Sequence, residues 1–281
     1  MLRCGAPKGG EGPLTIYQLV ILSLGAFLAG AAAGSAFLRL LDRKSRGEAW
    51  AGGGSRCAGC GRRLPAGDLA PIYGYVRSRG RCRHCGKPYP IAALLSPLAM
   101  GYGWLCGAWG AYLAYAAGDY PGMAAKAVIY VLLGAAAVND IYCHECGFVI
   151  QYGILAAGLV YAFFFCRSTA VLLGCVGVMA VLVLIDFLFR RVRRMEGIGL
   201  ADIIVLSGTA AIVDEPFLVP LMVLLTNLFG MMCVPIALKN QKMQGTEEPE
   251  GPSVGLLPFV LLGVSVCNLL GRLVIPLLFH G

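Results

Sequence analysis

A chain of 281 residues that is 58% hydrophobic, only 14% charged and has a mean hydropathy of +0.74 is not an ordinary soluble domain, which runs to about 45–50% apolar and about 25% charged. The net charge of +8 raises nucleic acid as a partner, but the positions of the basic residues exclude it. Twelve of the 23 Lys and Arg fall between Arg39 and Lys87, four are Arg190, Arg191, Arg193 and Arg194, and two are Lys239 and Lys242, so the charge sits in three loops between apolar runs, which is a topology signal.

In chain order, Met1 to Leu14 is a polar, Gly-rich tail, and Ile16 to Leu38 is an apolar run longer than the roughly 20 residues that cross a bilayer. The stretch Ala31-Ala-Ala-Gly-Ser-Ala36 is similar to a signal-peptide cleavage region. However, the strongly basic segment follows the run instead of preceding it. That order puts the N-terminus outside and the next segment in the cytoplasm. Residues 42–90 form a hydrophilic island. Apolar runs then recur near Ile91–Ala117, Met123–Asn139, Gly147–Cys166, Ala170–Phe189, Leu200–Val213, Pro216–Leu238 and Val254–Phe279. With the first, they make an all-α polytopic membrane protein of about eight transmembrane helices. The alternation tests itself: the Arg190–Arg194 cluster and the Lys239–Ser253 loop fall inside with the island, and the acidic Asp214-Glu215 falls outside. The expected division is 1–41, tail and first transmembrane helix; 42–90, a small cytoplasmic metal-binding subdomain; and 91–281, a seven-helix membrane domain. Lys239–Pro252 reads as a polar loop, and no internal repeat stands out.

The island carries Cys57-Ala-Gly-Cys60 and Cys82-Arg-His-Cys85, each followed by Gly, at Gly61 and Gly86. Two Cys-x-x-Cys pairs at this separation match a zinc pattern. Four thiolates close the tetrahedron and leave no place for water, so the zinc at Cys57, Cys60, Cys82 and Cys85 would be structural. About 45 residues with few large apolar side chains make a poor core, and a metal staple fits that size. The competing reading is two reduced or redox-active pairs. A third pair, Cys143-His-Glu-Cys146, has no evident fourth ligand, and most of the remaining Cys lie in apolar runs, where they act as small hydrophobes.

Asp202 lies just inside the apolar run Leu200–Val213, and Asp140 ends the run Ala124–Asn139. Acids in a membrane segment are costly and read as functional by default. The topology puts both near the cytoplasmic surface, in different helices. Leu200–Val213 is short for a span: 14 residues cover about 21 Å against a core of about 30 Å, which suits a helix inside the bundle. Two carboxyls that meet there would share a proton, one serving as base and the other as acid. The base takes a proton from water, which attacks a peptide carbonyl, and the acid hydrogen-bonds the carbonyl oxygen and helps the amine leave. Gly197, Gly199 and Ala201 before Asp202 would let a substrate backbone approach. The bland alternatives are an interfacial helix-end acid for Asp140 and an acid near a helix N-terminus, satisfied by amides, for Asp202. Asp186 is a reserve candidate, expected to pair with a nearby Arg. Of the three histidines, only His144 is placed to serve a Ser-His or Cys-His engine.

At these residues the chain resembles the bacterial type IV prepilin peptidases, the GxGD-type intramembrane aspartyl proteases. The first span ends in Gly34-Ser-Ala-Phe-Leu38, the two Cys pairs follow, and Asp68-Leu-Ala-Pro71 and Arg79-Gly-Arg-Cys82 lie between or at them. Val138-Asn-Asp-Ile141 and Gly197-Ile-Gly-Leu-Ala-Asp202 are similar to the family's two catalytic Asp sites, and Leu257-Pro258-Phe259 to its last-span signature. The resemblance implies a protein of the cytoplasmic (inner) membrane, with Asp140 and Asp202 as the catalytic pair. It implies cleavage of leader peptides from type IV prepilin or pseudopilin precursors on the cytoplasmic side. Many members also N-methylate the new terminus, which makes S-adenosylmethionine a candidate cofactor. The chain departs from the pattern in three places. Ala201 stands where the family has a glycine, Ile204 where it has a lysine, and Tyr89-Pro-Ile-Ala-Ala-Leu-Leu-Ser96 lacks the family's Arg-Tyr-Pro-x-x-Glu. These departures motivate a second reading, a catalytically degenerate scaffold that binds pilin-like helices.

Overall fold

The computed structural model describes residues 14–47, 55–57, 59–143, 147–166, 168–193, 198–213, 215–244 and 256–279. Helix α1 (Ile16–Ser45) starts at a reciprocal cap. The Thr15 hydroxyl accepts the Gln18 N–H, and the Gln18 side chain accepts the Thr15 N–H at 2.8 Å, so two of the donors a helix start leaves unmatched are satisfied. The helix outlasts its apolar run by seven residues and ends in Arg43 and Lys44, where cations complement the helix dipole. Two short helices, α2 (Ala66–Leu69) and α3 (Tyr73–Arg77), lie in the island. The bundle continues with α4 (Ala92–Ala116), α5 (Tyr120–Cys143) and α6 (Phe148–Val160), which widens into a π-turn over Tyr161–Cys166. It is completed by α7 (Thr169–Arg193), α8 (Leu200–Thr209) with a 3₁₀ turn at Ala210–Ile212, α9 (Val219–Gln244) and α10 (Leu257–Phe279).

No strand occurs among the described residues, and the only extended pairings are two isolated bridges in the island. Four helical segments are long and apolar enough to cross a bilayer: Ile16–Ser45, Tyr120–Cys143, Phe148–Cys166 and Thr169–Val192. Shorter apolar segments are Leu200–Ile212, Val219–Met232 and Leu257–Arg272. With α4, that is the expected set of eight, and the chain is a multi-pass membrane protein. One boundary is corrected: α9 continues through Lys239 to Gln244, so the polar loop expected from Lys239 begins later, and its remainder lies outside the described residues. Polar residues extend a helix at low cost once its apolar part is anchored.

Close packing follows the small residues. On α1, Gly30 and Gly34 lie against α4 so tightly that a Cβ would come within 2.7 Å of the carbonyl oxygens of Met100 and Ser96, respectively. Where α6 crosses α8, a Cβ on Gly158 would overlap the Gly208 carbonyl oxygen, and one on Gly208 would come within 2.8 Å of Ile154. Such approaches are how membrane helices associate without a hydrophobic driving force between them.

Helix α8 is the centre. Every residue from Ile203 to Thr209 is buried, in a core shared with Leu133 of α5, Ile154 of α6, Met222 of α9 and Val260 of α10. Ser207 donates to the Ile203 carbonyl at 2.6 Å and Thr209 to the Leu206 carbonyl at 2.9 Å, the Thr209 hydroxyl also lying 3.9 Å from Met222 Sδ of α9. Helix α7 is the contrast, with Leu173, Val176, Val181 and Leu184 all exposed, the surface a hydrocarbon phase would cover.

The crossing makes a prediction. Gly208→Leu should lower the thermal unfolding midpoint of the purified protein, with a loss of about 1–3 kcal/mol or more from overpacking. Gly25→Ala, at a position whose Cβ meets nothing, should leave the midpoint unchanged or slightly higher.

Candidate active site and metal centre

Asp140 lies in the last turn of α5 and is 6% exposed. It ends an apolar run in the sequence, and the bundle covers it. Its Oδ2 accepts the backbone N–H of Leu257 at 2.9 Å, the first residue of α10 and 117 positions away. An unmatched amide at a helix start and a buried carboxylate both need partners, and each supplies the other's.

Asp202 is in the first turn of α8, three residues after its cap Gly199. Negative charge is favourable there. The Asp202 carboxylate folds back over Gly199, where a Cβ would stand 3.1 Å from Oδ2. The glycine thus makes room for the acid itself, in addition to any room it leaves for a substrate. Ala201 is half-buried beside it, and Gly197 lies outside the described residues. Asp140 and Asp202 come from different helices at the same end of the bundle and are within Coulombic reach of one another.

Two contacts brace this end. The Tyr142 hydroxyl, two residues beyond Asp140, donates to Asp42 at 3.1 Å, which ties the end of α5 to the end of α1 and to the start of the island. Asp186 on α7 accepts from Arg190 at 2.6 Å, the pairing expected of it, and also takes the Ile198 N–H at 3.2 Å, which anchors the approach to α8. The Tyr142–Asp42, Asp186–Ile198 and Asp140–Leu257 contacts are invisible in sequence, because each joins residues by three-dimensional proximity. Only the Pro-Phe motif after Leu257 marked that start of α10 at all. His144 lies outside the described residues. An open cleft of about 500 Å³ lined by Ala162, Phe163, Phe164, Ser168, Thr169 and Leu172 sits at the π-turn, on the far end of the bundle from the acids.

In the island, the ligand atoms of Cys57, Cys60, Cys82 and Cys85 lie within 4.8 Å of one another, with Cys57 Sγ and Cys85 Sγ 3.7 Å apart. A tetrahedron with metal–sulfur bonds of about 2.3 Å has edges of about 3.8 Å, so the set can hold a metal ion. The two halves are built alike, a repeat that the sequence scan passed over. Cys57 N–H bonds the Arg62 carbonyl and Cys82 N–H the Lys87 carbonyl, each at 2.9 Å, and antiparallel bridges Arg56–Arg63 and Arg81–Pro88 flank the two turns. Gly61 and Gly86 close the turns at φ of 68° and 72°, where a side chain would be strained. Amides turn inward to the sulfurs: the Gly59 N–H lies 3.3 Å from Cys57 Sγ. The Cys60 and Gly59 amides hold the Cys57 thiol below its ordinary value, and those of Cys85 and His84 bring Cys82 down to about 6. Cys57 and Cys82 are thereby biased toward thiolate before any metal arrives, whereas burial and the neighbouring sulfurs push the Cys85 thiol up to about 11. Behind them, Asp68 is buried with its carboxylate 3.2 Å from Arg83 Nη2, an ion pair by distance without hydrogen-bond alignment.

Fold and site together define a helical multi-pass membrane protein with two acids within Coulombic reach and a four-cysteine knuckle pair at one end. Residues 28–111 match the family model of the Bacterial Peptidase A24 N-terminal domain. The chain is 31% identical over 209 residues to the prepilin leader peptidase/N-methyltransferase of Burkholderia pseudomallei strain K96243, covering 70% of this chain and 63% of the relative. It is 27% identical over 217 residues to the protein of the same description from Stutzerimonas stutzeri, covering 74% and 71%. The chain is thus similar to bacterial prepilin leader peptidases, and its match spans less than two thirds of the length of the Burkholderia relatives. No solved structure matches it.

The thiol chemistry gives a titration. In the metal-free protein, one thiol should ionise with a midpoint near pH 6, read by ultraviolet thiolate absorbance, and Cys82→Ser should remove that step. Because the folded value lies below the ordinary 9.0, this ionisation stabilises the island fully above about pH 9. The contribution is lost as pH falls through about 6.

Proposed function

We propose that the chain is an intramembrane aspartyl endopeptidase that removes leader peptides from type IV prepilin-like precursors. It would sit in the bacterial inner membrane with its N-terminus outside, and its island and acids on the cytoplasmic side. The observation that carries the reading is the approach of Asp140 and Asp202 from α5 and α8 at the end of the bundle that also bears the island. In this reading the ionised partner takes a proton from water as the oxygen bonds to the scissile carbonyl carbon. The protonated partner holds the carbonyl oxygen and passes its proton to the departing amine. The Leu257 amide fixes the orientation of the Asp140 carboxylate throughout. A basic leader would stay in the cytoplasm while the apolar stem of the precursor lies in the bilayer, which brings the junction to the depth of the two acids.

Zinc is the metal assigned to Cys57, Cys60, Cys82 and Cys85. Four sulfurs leave no open position, so it would fold the island and take no part in hydrolysis. S-adenosylmethionine fits less well. A sulfonium calls for acidic partners, and Tyr89–Ser96 offers none. Ser96 is buried beneath Gly34, so that stretch serves the packing of α1 on α4. The reading proposed is therefore proteolysis.

The second reading, a scaffold that binds pilin-like helices without cutting them, is favoured by Ile204. It is 6% exposed in the α8 core, an apolar site where the resemblance would place a lysine.

Asp140→Asn and Asp202→Asn should each lower the rate of leader removal in membranes by roughly 10²–10⁴-fold. Undiminished cleavage in both would reject the peptidase and leave the scaffold. For the metal, purified protein should carry one zinc per chain. Cys57→Ser/Cys60→Ser should lose it and speed proteolysis within residues 55–90 while the helical circular dichroism of the bundle persists.

A further inference from the structure

Residues 55–90 carry eight Lys or Arg against a single acid, Asp68, and that acid is buried and engaged by Arg83. The rest of the surface of residues 55–90 is therefore a field of one sign. Set into it are three exposed apolar side chains: Tyr73 at 58%, Val76 at 63% and Ile91 at 57%. Tyr73 and Val76 lie one turn apart on α3. The inward side of that helix is Gly74, packed so closely that a Cβ would overlap the Asp68 carbonyl oxygen. The face bearing Tyr73 and Val76 consequently points away from the island, and Arg77, although exposed, lays its guanidinium beside Gly67 of α2. The Arg77 guanidinium lies 5.9 Å from the centre of the Tyr73 ring, and Arg79 and Arg81 are exposed just beyond it.

The island cannot travel far. It leaves from the end of α1 and returns at the start of α4, two helices held together by Gly34 against Ser96. Ile91 is the residue at the point of return. A basic surface studded with apolar and aromatic side chains and tethered at both ends to membrane helices has the composition of an interfacial segment. Arginines reach headgroup phosphates while their stems, and the tyrosine, lie at the apolar boundary. We propose that Tyr73, Val76 and Ile91 with Arg77, Arg79 and Arg81 form a docking surface that seats the island on the anionic phospholipid headgroups of the adjacent leaflet. An acidic protein would match the charge, but the apolar trio and the double tether favour the bilayer. The inference depends on the membrane topology and not on the peptidase reading.

Hydrogen exchange of the full chain in nanodiscs tests it. The reporters are the amides of Val76, Ser78, Arg79 and Gly80, each hydrogen-bonded within or just after α3. In phosphatidylglycerol discs they should exchange roughly tenfold or more slowly than in phosphatidylcholine discs, the scale set by several arginines held at an anionic surface. The difference should disappear near 1 M salt, where the screening length falls to about 3 Å. It should also disappear in R77Q/R79Q/R81Q with its metal content intact. Equal exchange in the two lipids at low salt overturns the proposal. So does protection by polyglutamate in phosphatidylcholine discs that matches protection by phosphatidylglycerol, which would assign the surface to an acidic protein. The lipid and salt comparisons use the unmodified chain, so they decide the matter even if the triple variant loses its metal.

Discussion

A carboxylate surrounded by apolar helices has to be matched by a donor, because an unpaired charge or polar group there costs several kcal/mol or more. In this protein the donor for Asp140 is the backbone amide that opens α10. That contact pins the start of the last helix to the end of α5 and sets the position of Val260 and Leu261 in the core around α8. Helix α8 is too short to serve as an independent span, so its burial depends on α5, α6, α9 and α10 closing around it. The acid in its first turn is placed by that closure.

Two kinds of packing maintain the arrangement. Glycines let α1 lie on α4 and α6 cross α8 at backbone distance, so those helices are held by many short contacts without large side chains. Polar clasps close the two ends. Asp119 accepts both the Gly122 amide and the Tyr161 hydroxyl at 2.8 Å, joining α5 to the π-turn after α6. Asp42 and Asp186 do similar work at the end that bears the acids. In a low-dielectric setting, such fully matched groups specify one arrangement of helices more sharply than apolar contact alone.

The island is organised on a different principle. It has little apolar core, and its two knuckles converge four sulfurs under inward-facing amides. Four sulfurs gathered in this way form a set that could hold a metal ion, whose charge would favour the thiolate at each of them. Its outer surface is basic, and its attachment through α1 and α4 keeps it beside the membrane.

Much of this was legible in the chain itself. Composition and the recurrence of apolar runs determined the class and the number of membrane helices, because a bilayer demands long apolar segments whatever their neighbours. Cysteine spacing marked out the four sulfurs that could hold a metal ion, because a knuckle is local and its turn glycines, Gly61 and Gly86, are written beside it. The burial of Asp140, its bond to Leu257, the use of Gly199 to admit the Asp202 side chain, and the nearness of the two acids were decided only in the tertiary structure. The burial, the bond and the nearness depend on where a helix lands against others more than fifty residues away, and the Gly199–Asp202 contact on a side-chain orientation at the start of α8; hydropathy records whether a segment enters the membrane but not which face it turns toward its partners.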